Sequence, residues 1–171
     1  IVKAAKLGDA AILKVLIKIL LENKIRVIKL NTFNPELTLK KGFYTILKPS
    51  KKEREEIVKG IQTLKKINSY NHTQAVIIRD NKVISRETRK GTKEMIKSIP
   101  KSKIKKGILI KLPKAKQDLR VDLPTIGIDT FKDCNKVGVK GIVVKSNQNI
   151  ILNKEVCIKY ANQNKLFLMA I

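Results

Sequence analysis

The sequence predicts a mixed α/β fold, a sheet of parallel and antiparallel strands with helices packed on it. Three patterns predict this. Apolar runs of strand length alternate with segments of helical periodicity. One pair of runs is split by a two-residue turn, as in an antiparallel hairpin. The later runs are separated by helical stretches, as in βα units. The chain of 171 residues is 43% hydrophobic with 8 Gly and 5 Pro, enough for one compact domain or one domain and part of another.

In chain order, Gly8-Asp9 supplies an N-cap aspartate for a helix from Ala10 to Leu21. Only Lys14 and Lys18 break its apolar surface, so most of this helix is expected to be buried. Ile25-Arg26-Val27-Ile28-Lys29-Leu30 then alternates as a strand does. A helix leading into a strand, with no earlier strand to pack on and Ile1 as first residue, reads as a piece of a longer protein.

Asn34-Pro35 and Lys41-Gly42 frame a linker-like stretch, and Tyr44-Thr45-Ile46-Leu47 and Pro49 lead from it into Ser50-Lys51-Lys52-Glu53, a capping-box pattern. Ile57, Val58, Ile61, Leu64 and Ile67 follow at helical spacing and predict a helix over 51–69. Ala75–Arg79 and Lys82–Ser85 flank the turn Asp80-Asn81 and predict a hairpin. Gly91-Thr92 opens a short helix over Lys93–Ile99, closed by Pro100. Gly107–Lys111 reads as a strand, and Asp129-Thr130 starts a helix that Gly138 stops. Runs at 141–144, 149–152 and 166–169 read as short buried strands, with a helix over 153–163.

The net charge is +24, which taken alone suggests a polyanion partner. Yet only six of the 38 basic residues are arginine (Arg26, Arg54, Arg79, Arg86, Arg89 and Arg120), and arginine is what a reader of bases and phosphates enriches. An AT-rich coding sequence yields the same Lys, Asn and Ile bias, so no specific nucleic-acid partner is expected. Cys134 and Cys157 have neither CxxC spacing nor a neighbouring His, and read as buried thiols of a reducing compartment. The longest apolar run, Ala10 to Leu21, is shorter than the roughly 18 residues a bilayer span needs. With no signal peptide visible, a cytoplasmic location is expected. Phosphate-loop, dinucleotide-binding, zinc-protease and nucleophile-elbow motifs are all missing, and His72 is the single histidine, which disfavours triad hydrolysis.

The stretch after the 107–111 strand is the candidate for chemistry. Asp118, Arg120 and Asp122 stand at i, i+2 and i+4, which on an extended segment face one way. Two adjacent carboxylates suit Mg²⁺ or Mn²⁺, and an arginine between them would neutralise a phosphoryl group. The competing reading is a set of surface pairs among Asp118, Asp122, Arg120 and nearby lysines. Gly91-Thr92 offers backbone N–H groups at a helix start, either as a phosphate cradle or as a plain N-cap. Glu87, among Arg86, Arg89 and Lys90, reads as a paired surface acid, and Gln74 as an edge residue before a strand.

Gln117-Asp118-Leu119-Arg120-Val121-Asp122-Leu123-Pro124-Thr125-Ile126-Gly127, preceded by Ile110-Lys111, resembles the signature of the LpxI-type UDP-2,3-diacylglucosamine pyrophosphatases of lipid A biosynthesis. The order of landmarks also resembles that family: Gly8-Asp9, Gln74-Ala75-Val76, Glu87, Gly91-Thr92, the signature, and Gly138-Val139-Lys140-Gly141-Ile142. The resemblance implies that residues 1–32 are the tail of an N-terminal domain and 33–171 a C-terminal catalytic α/β domain, with substrate bound between the two. It implies hydrolysis of the UDP-lipid at its α-phosphorus, giving UMP and 2,3-diacylglucosamine 1-phosphate. Asp118 and Asp122 take the role of metal-binding or water-activating carboxylates with Mg²⁺ or Mn²⁺, and Arg120 that of a stabiliser of phosphoryl charge. Gln74, Glu87, Gly91, Thr92, Lys111, Gln117 and Thr125 are implied to line the substrate. A UDP-lipid substrate further implies a place on the inner membrane surface as a peripheral protein, and a homo-oligomer stays open.

Four departures limit the resemblance. Lys90 and Lys93 stand where the family has acids, Thr73 replaces a glycine, and Ala115-Lys116 replaces Pro-Gly. Two further readings therefore remain: a relative that binds a nucleotide sugar without cleaving it, and a basic nucleic-acid-binding module.

Overall fold

The computed structural model describes residues 9–68, 73–115 and 117–171. The chain runs through α1 (Asp9–Glu22), the one-turn α2 (Leu30–Phe33), a 3-10 turn at Pro35–Leu37, β1 (Gly42–Phe43) and α3 (Lys51–Asn68). The hairpin of β2 (Ala75–Arg79) and β3 (Lys82–Arg86) follows, then α4 (Gly91–Lys97) and β4 (Ile108–Lys111). Last come β5 (Thr125–Ile126), α5 (Ile128–Lys136), β6 (Gly141–Val144), β7 (Ile150–Ile151), α6 (Lys154–Gln163) and β8 (Phe167–Ala170).

Six strands form one sheet in the order β1-β8-β6-β4-β2-β3. β4, β6 and β8 run parallel, while β1, β2 and β3 pair antiparallel, so the sheet is mixed as expected. β5 and β7 form a separate parallel pair.

Period-two alternation sends strand side chains into two cores. Ala75, Ile77, Leu109, Ile142, Val144 and Leu168 meet Met95 and Ile96 of α4, Phe131 and Cys134 of α5, and Cys157 and Ala161 of α6. Val76, Ile78, Ile108, Ile110, Val143 and Phe167 face the other way, onto Ile57, Ile61 and Leu64 of α3. Helices thus cover both faces, which is why the central strands read as unbroken apolar runs. The α3 helix comes so close to the sheet at Gly60 that a Cβ there would lie 2.3 Å from Ile110 Cδ1.

Local chemistry explains the best-defined boundaries. Ser50 N–H donates to Glu53 Oε2 at 2.8 Å while Glu53 N–H donates to Ser50 Oγ at 3.3 Å, the reciprocal capping box expected at the start of α3. Asp80 and Asn81 take φ of 49° and 59°, the left-handed pair that a tight hairpin turn requires. Both cysteines are free and buried.

Two expectations fail. Residues 25–30 form no strand: the chain is irregular up to Lys29, and Leu30 opens α2. Alternation alone does not make a strand without a sheet edge to pair with, and Ile25 is 53% exposed. Helix α1 is also far less covered than its apolar composition suggests. Ile17 is buried, whereas Leu16, Ile19 and Leu21 are exposed.

Candidate functional site

β4, β6 and β8 all end at one edge of the sheet, and ligands of open α/β sheets bind outside such carboxyl ends. The segment after β4, the segment after β6 and Ile171 after β8 meet there against α3 and enclose a cleft of about 350 Å³. Its walls are apolar at Ile61, Leu64, Leu112, Pro113, Leu119 and Ile171, with Lys65, Lys114, Lys145, Gln117 and Gln148 among them. A lining of aliphatic side chains and ammonium groups suits an anionic amphiphile.

Asp118, Arg120 and Asp122 lie on this edge but not in the extended arrangement expected of them. Val121 and Asp122 donate their N–H groups to Asp118 O at 3.2 and 2.9 Å, so the segment is a turn. That turn folds Arg120 back onto Asp118: Nε donates to Oδ1 at 3.0 Å, Nη2 to Oδ2 at 2.7 Å, and Arg120 N–H to Oδ1 at 3.1 Å. The side-chain bonds from Arg120 are the main reason the Asp118 carboxyl sits below the usual carboxylate range, with Lys14 of α1 adding a smaller pull. The half-buried Asp122 is the carboxylate of this turn left outside the Arg120 fork. Gln117 makes a reciprocal pair with Lys114: its Oε1 accepts from Lys114 N–H at 2.9 Å, and its own N–H donates to Lys114 O at 3.1 Å.

Lys111, Thr92, Glu87, Gln74 and Thr125 form a second cluster, in which Lys111 and Glu87 are buried, Thr92 and Gln74 half-buried and Thr125 exposed. The Lys111 ammonium donates to Thr92 Oγ1 at 2.9 Å and to Thr125 O at 3.0 Å. Thr92 Oγ1 donates to Glu87 Oε1 at 2.5 Å, and Gln74 N–H donates to Glu87 Oε2 at 2.9 Å. Burial pushes the Lys111 ammonium down, Glu87 pulls it back up, and Lys114 lowers it further. Glu87 is therefore a buried acid, not the surface-paired one its basic neighbours suggest. Gln74 Oε1 is buried without a hydrogen-bond partner. Gly91 takes φ of 84° at the turn into α4, a conformation that favours glycine, and the Thr92 hydroxyl is spent on Glu87.

Sequence reasoning missed the cleft lysines Lys65, Lys114 and Lys145, together with Gln148 and Asn149. The buried Asn149 donates to Lys111 O at 3.2 Å and accepts from Lys145 N–H at 2.9 Å, joining the ends of β4 and β6. The signal was a polar run, Lys145-Ser146-Asn147-Gln148-Asn149, directly after an apolar strand. His72 and Lys116 lie outside the described residues.

Among the described residues, no three His, Cys, Asp or Glu side chains gather into a metal-binding group. An Mg²⁺ or Mn²⁺ ion at Asp118 and Asp122, as expected from the sequence, would rest on one or two carboxylates, with phosphate and water completing its shell. Among the described residues, no helix is long and apolar enough to cross a membrane.

A sequence model described as the LpxI C-terminal domain matches residues 40–169. The protein described as UDP-2,3-diacylglucosamine pyrophosphatase LpxI from Caulobacter vibrioides is 25% identical over 179 residues, covering 100% of this chain and 64% of that protein. The chain thus spans less than two thirds of that relative's length.

Proposed function

The chain belongs to the LpxI C-terminal domain family, and from that premise we propose that it cleaves the diphosphate of UDP-2,3-diacylglucosamine at the α-phosphorus. Water adds to that phosphorus, the bond to the bridging oxygen breaks, and UMP and 2,3-diacylglucosamine 1-phosphate leave, as a step of lipid A biosynthesis.

The observation that carries this reading is the position of the Asp118-Arg120-Asp122 turn beside a cleft of mixed aliphatic and ammonium lining. Lys65, Lys114 and Lys145 offer positive charge to a diphosphate, and Leu112, Leu119 and Ile171 offer apolar surface to acyl chains. Asp122 accepts the proton of the attacking water. Arg120 presents to the phosphoryl oxygens the guanidinium N–H groups that its pairing with Asp118 leaves over, with Asp118 fixing its direction. Asp122, with the lone pairs of Asp118 that Arg120 leaves over, would hold a divalent cation, which would supply Lewis-acid polarisation of the phosphate. A UDP-lipid substrate places the protein at the cytoplasmic surface of the inner membrane as a peripheral protein.

The test is release of UMP from UDP-2,3-diacylglucosamine with Mg²⁺ or Mn²⁺. UMP accumulation that stops on chelation supports the reading. A folded protein that binds the UDP-lipid by calorimetry yet releases no UMP overturns it in favour of a binding relative, the alternative that Lys90 and Lys93 raise.

A further inference from the structure

A lysine at the end of a central strand needs a reason to be there, because an ammonium leaves water only when partners replace its hydration. Lys111 closes β4, is 7% exposed, and is absent from the walls of the cleft. Its ammonium points instead at Thr92 Oγ1 and Thr125 O. The hydroxyl of Thr92 both accepts from that ammonium and donates to Glu87, so a cation and a carboxylate are linked through one side chain. Glu87 is held in turn by Gln74 N–H and by Thr73 Oγ1, which donates to Glu87 O at 2.9 Å.

The placement of these bonds decides what they do. Thr125 begins β5, which belongs to the small two-stranded sheet and follows the signature turn by three residues from Asp122. The Lys111 ammonium therefore ties the six-stranded sheet to the far end of the signature segment. The Lys111 carbonyl, bonded by Asn149, ties the same sheet to the segment that enters β7, the strand paired with β5. One residue is thus bonded to the start of β5 and to the residue that precedes β7.

We propose that Lys111, braced by Thr92 and Glu87, is a positioning residue that fixes the Thr125 end of the signature segment and so sets where Asp122 stands. This replaces the substrate-lining role implied for Lys111, Thr92 and Glu87. Only the kinetic arm of the test rests on the hydrolase reading.

Thr92→Val keeps the shape and deletes both bonds of the hydroxyl, whereas Thr92→Ser keeps them. Amide hydrogen exchange on the intact chain is expected to quicken at least about tenfold across residues 121–126 in Thr92→Val, with α3 and the β2–β3 hairpin unchanged and Thr92→Ser near native. In UMP release, Thr92→Val is expected to lower kcat by roughly ten- to a hundredfold with KM within about threefold, and Thr92→Ser to restore most of it. Exchange in 121–126 that stays native in Thr92→Val overturns the proposal. So does a raised KM at unchanged kcat, which would make the cluster a substrate ligand. Should Thr92→Val fail to fold, Thr92→Ala removes the same hydroxyl and is judged by the same outcomes. A native protein without UMP release refutes the hydrolase reading, while the exchange measurement still decides this one.

Discussion

Arg120 reaches back two residues to grip Asp118 with both ends of its fork, Nε to Oδ1 at 3.0 Å and Nη2 to Oδ2 at 2.7 Å. Both side chains remain partly open to water, so the pair adds little to global stability. Its consequence is directional: a guanidinium held this way cannot wander over the cleft rim.

The first prediction concerns the titration of Asp118. Its folded carboxyl is depressed, chiefly by Arg120, so the ionised form is favoured. The associated stabilisation is present above the ordinary aspartate value of about 3.9 and is lost as pH falls through the lower folded value. Arg120→Ala should raise the Asp118 carboxyl toward that ordinary value in a ¹³C NMR titration. An unchanged midpoint would mean that Arg120 is not its main partner in solution.

The second prediction separates chemistry from binding at Asp122. Asp122→Asn removes the proposed proton acceptor while keeping size, so kcat for UMP release should fall by about 10²- to 10⁴-fold. Calorimetric affinity for the UDP-lipid in the absence of metal should stay within about threefold. Native turnover in this variant would reduce the turn to a structural element.

How much of this was legible in the sequence follows from what each signal depends on. The α3 capping box and the Asp80-Asn81 hairpin were readable because a few neighbouring residues determine them. The segment 25–30 misled because alternation states only a preference, and in the structure these residues pair with neither edge strand, β1 nor β3. The same limit applies to the site. Asp118, Arg120 and Asp122 stood out in sequence, but their spacing suggested an extended row, and the two bonds to Asp118 O that make a turn are invisible in residue types. The link from Lys111 to Thr92 to Glu87 was unreadable as a link because sheet order, not sequence distance, brings β4 beside β2 and the end of β3.

The third prediction tests the packing that holds the parallel strands. Gly141 begins β6, and a Cβ there would fall 1.9 Å from Phe167 Cζ, inside the ring. Phe167 is fully buried and rigid, so the clash cannot be relieved by a flexible side-chain tip. Gly141→Ala should destabilise the protein by about 1–3 kcal/mol or more in denaturant unfolding. A loss under about 0.5 kcal/mol would mean that β6 and β8 are not packed as described.

The last prediction addresses the membrane surface and begins at the edge of the sheet opposite the cleft. Two of the most exposed large hydrophobics, Ile46 at 85% and Ile104 at 66%, lie on that edge. They are joined through the end of α6: Ile46 N–H donates to Asn162 Oδ1 at 2.8 Å, and Lys105 Nζ donates to Asn164 O. Lys48 beside Ile46 in the chain and Lys101, Lys103 and Lys106 around Ile104 are exposed, as is Lys165 after α6. Lysines near an anionic bilayer contribute about 1 kcal/mol each, and an inserted aliphatic side chain adds to that. Ile46→Ser with Ile104→Ser leaves the charge untouched, so purely electrostatic adsorption would survive the change. Cosedimentation with vesicles of phosphatidylcholine and phosphatidylglycerol should weaken at least about threefold in this double variant, while Val58→Ser, an exposed change on α3, should bind as native. Hydrolysis of detergent-dispersed substrate should be unchanged, because the cleft lies at the other end of the strands and takes a lipid only after it has left the bilayer. Equal binding of native and double variant would remove this edge from any membrane contact.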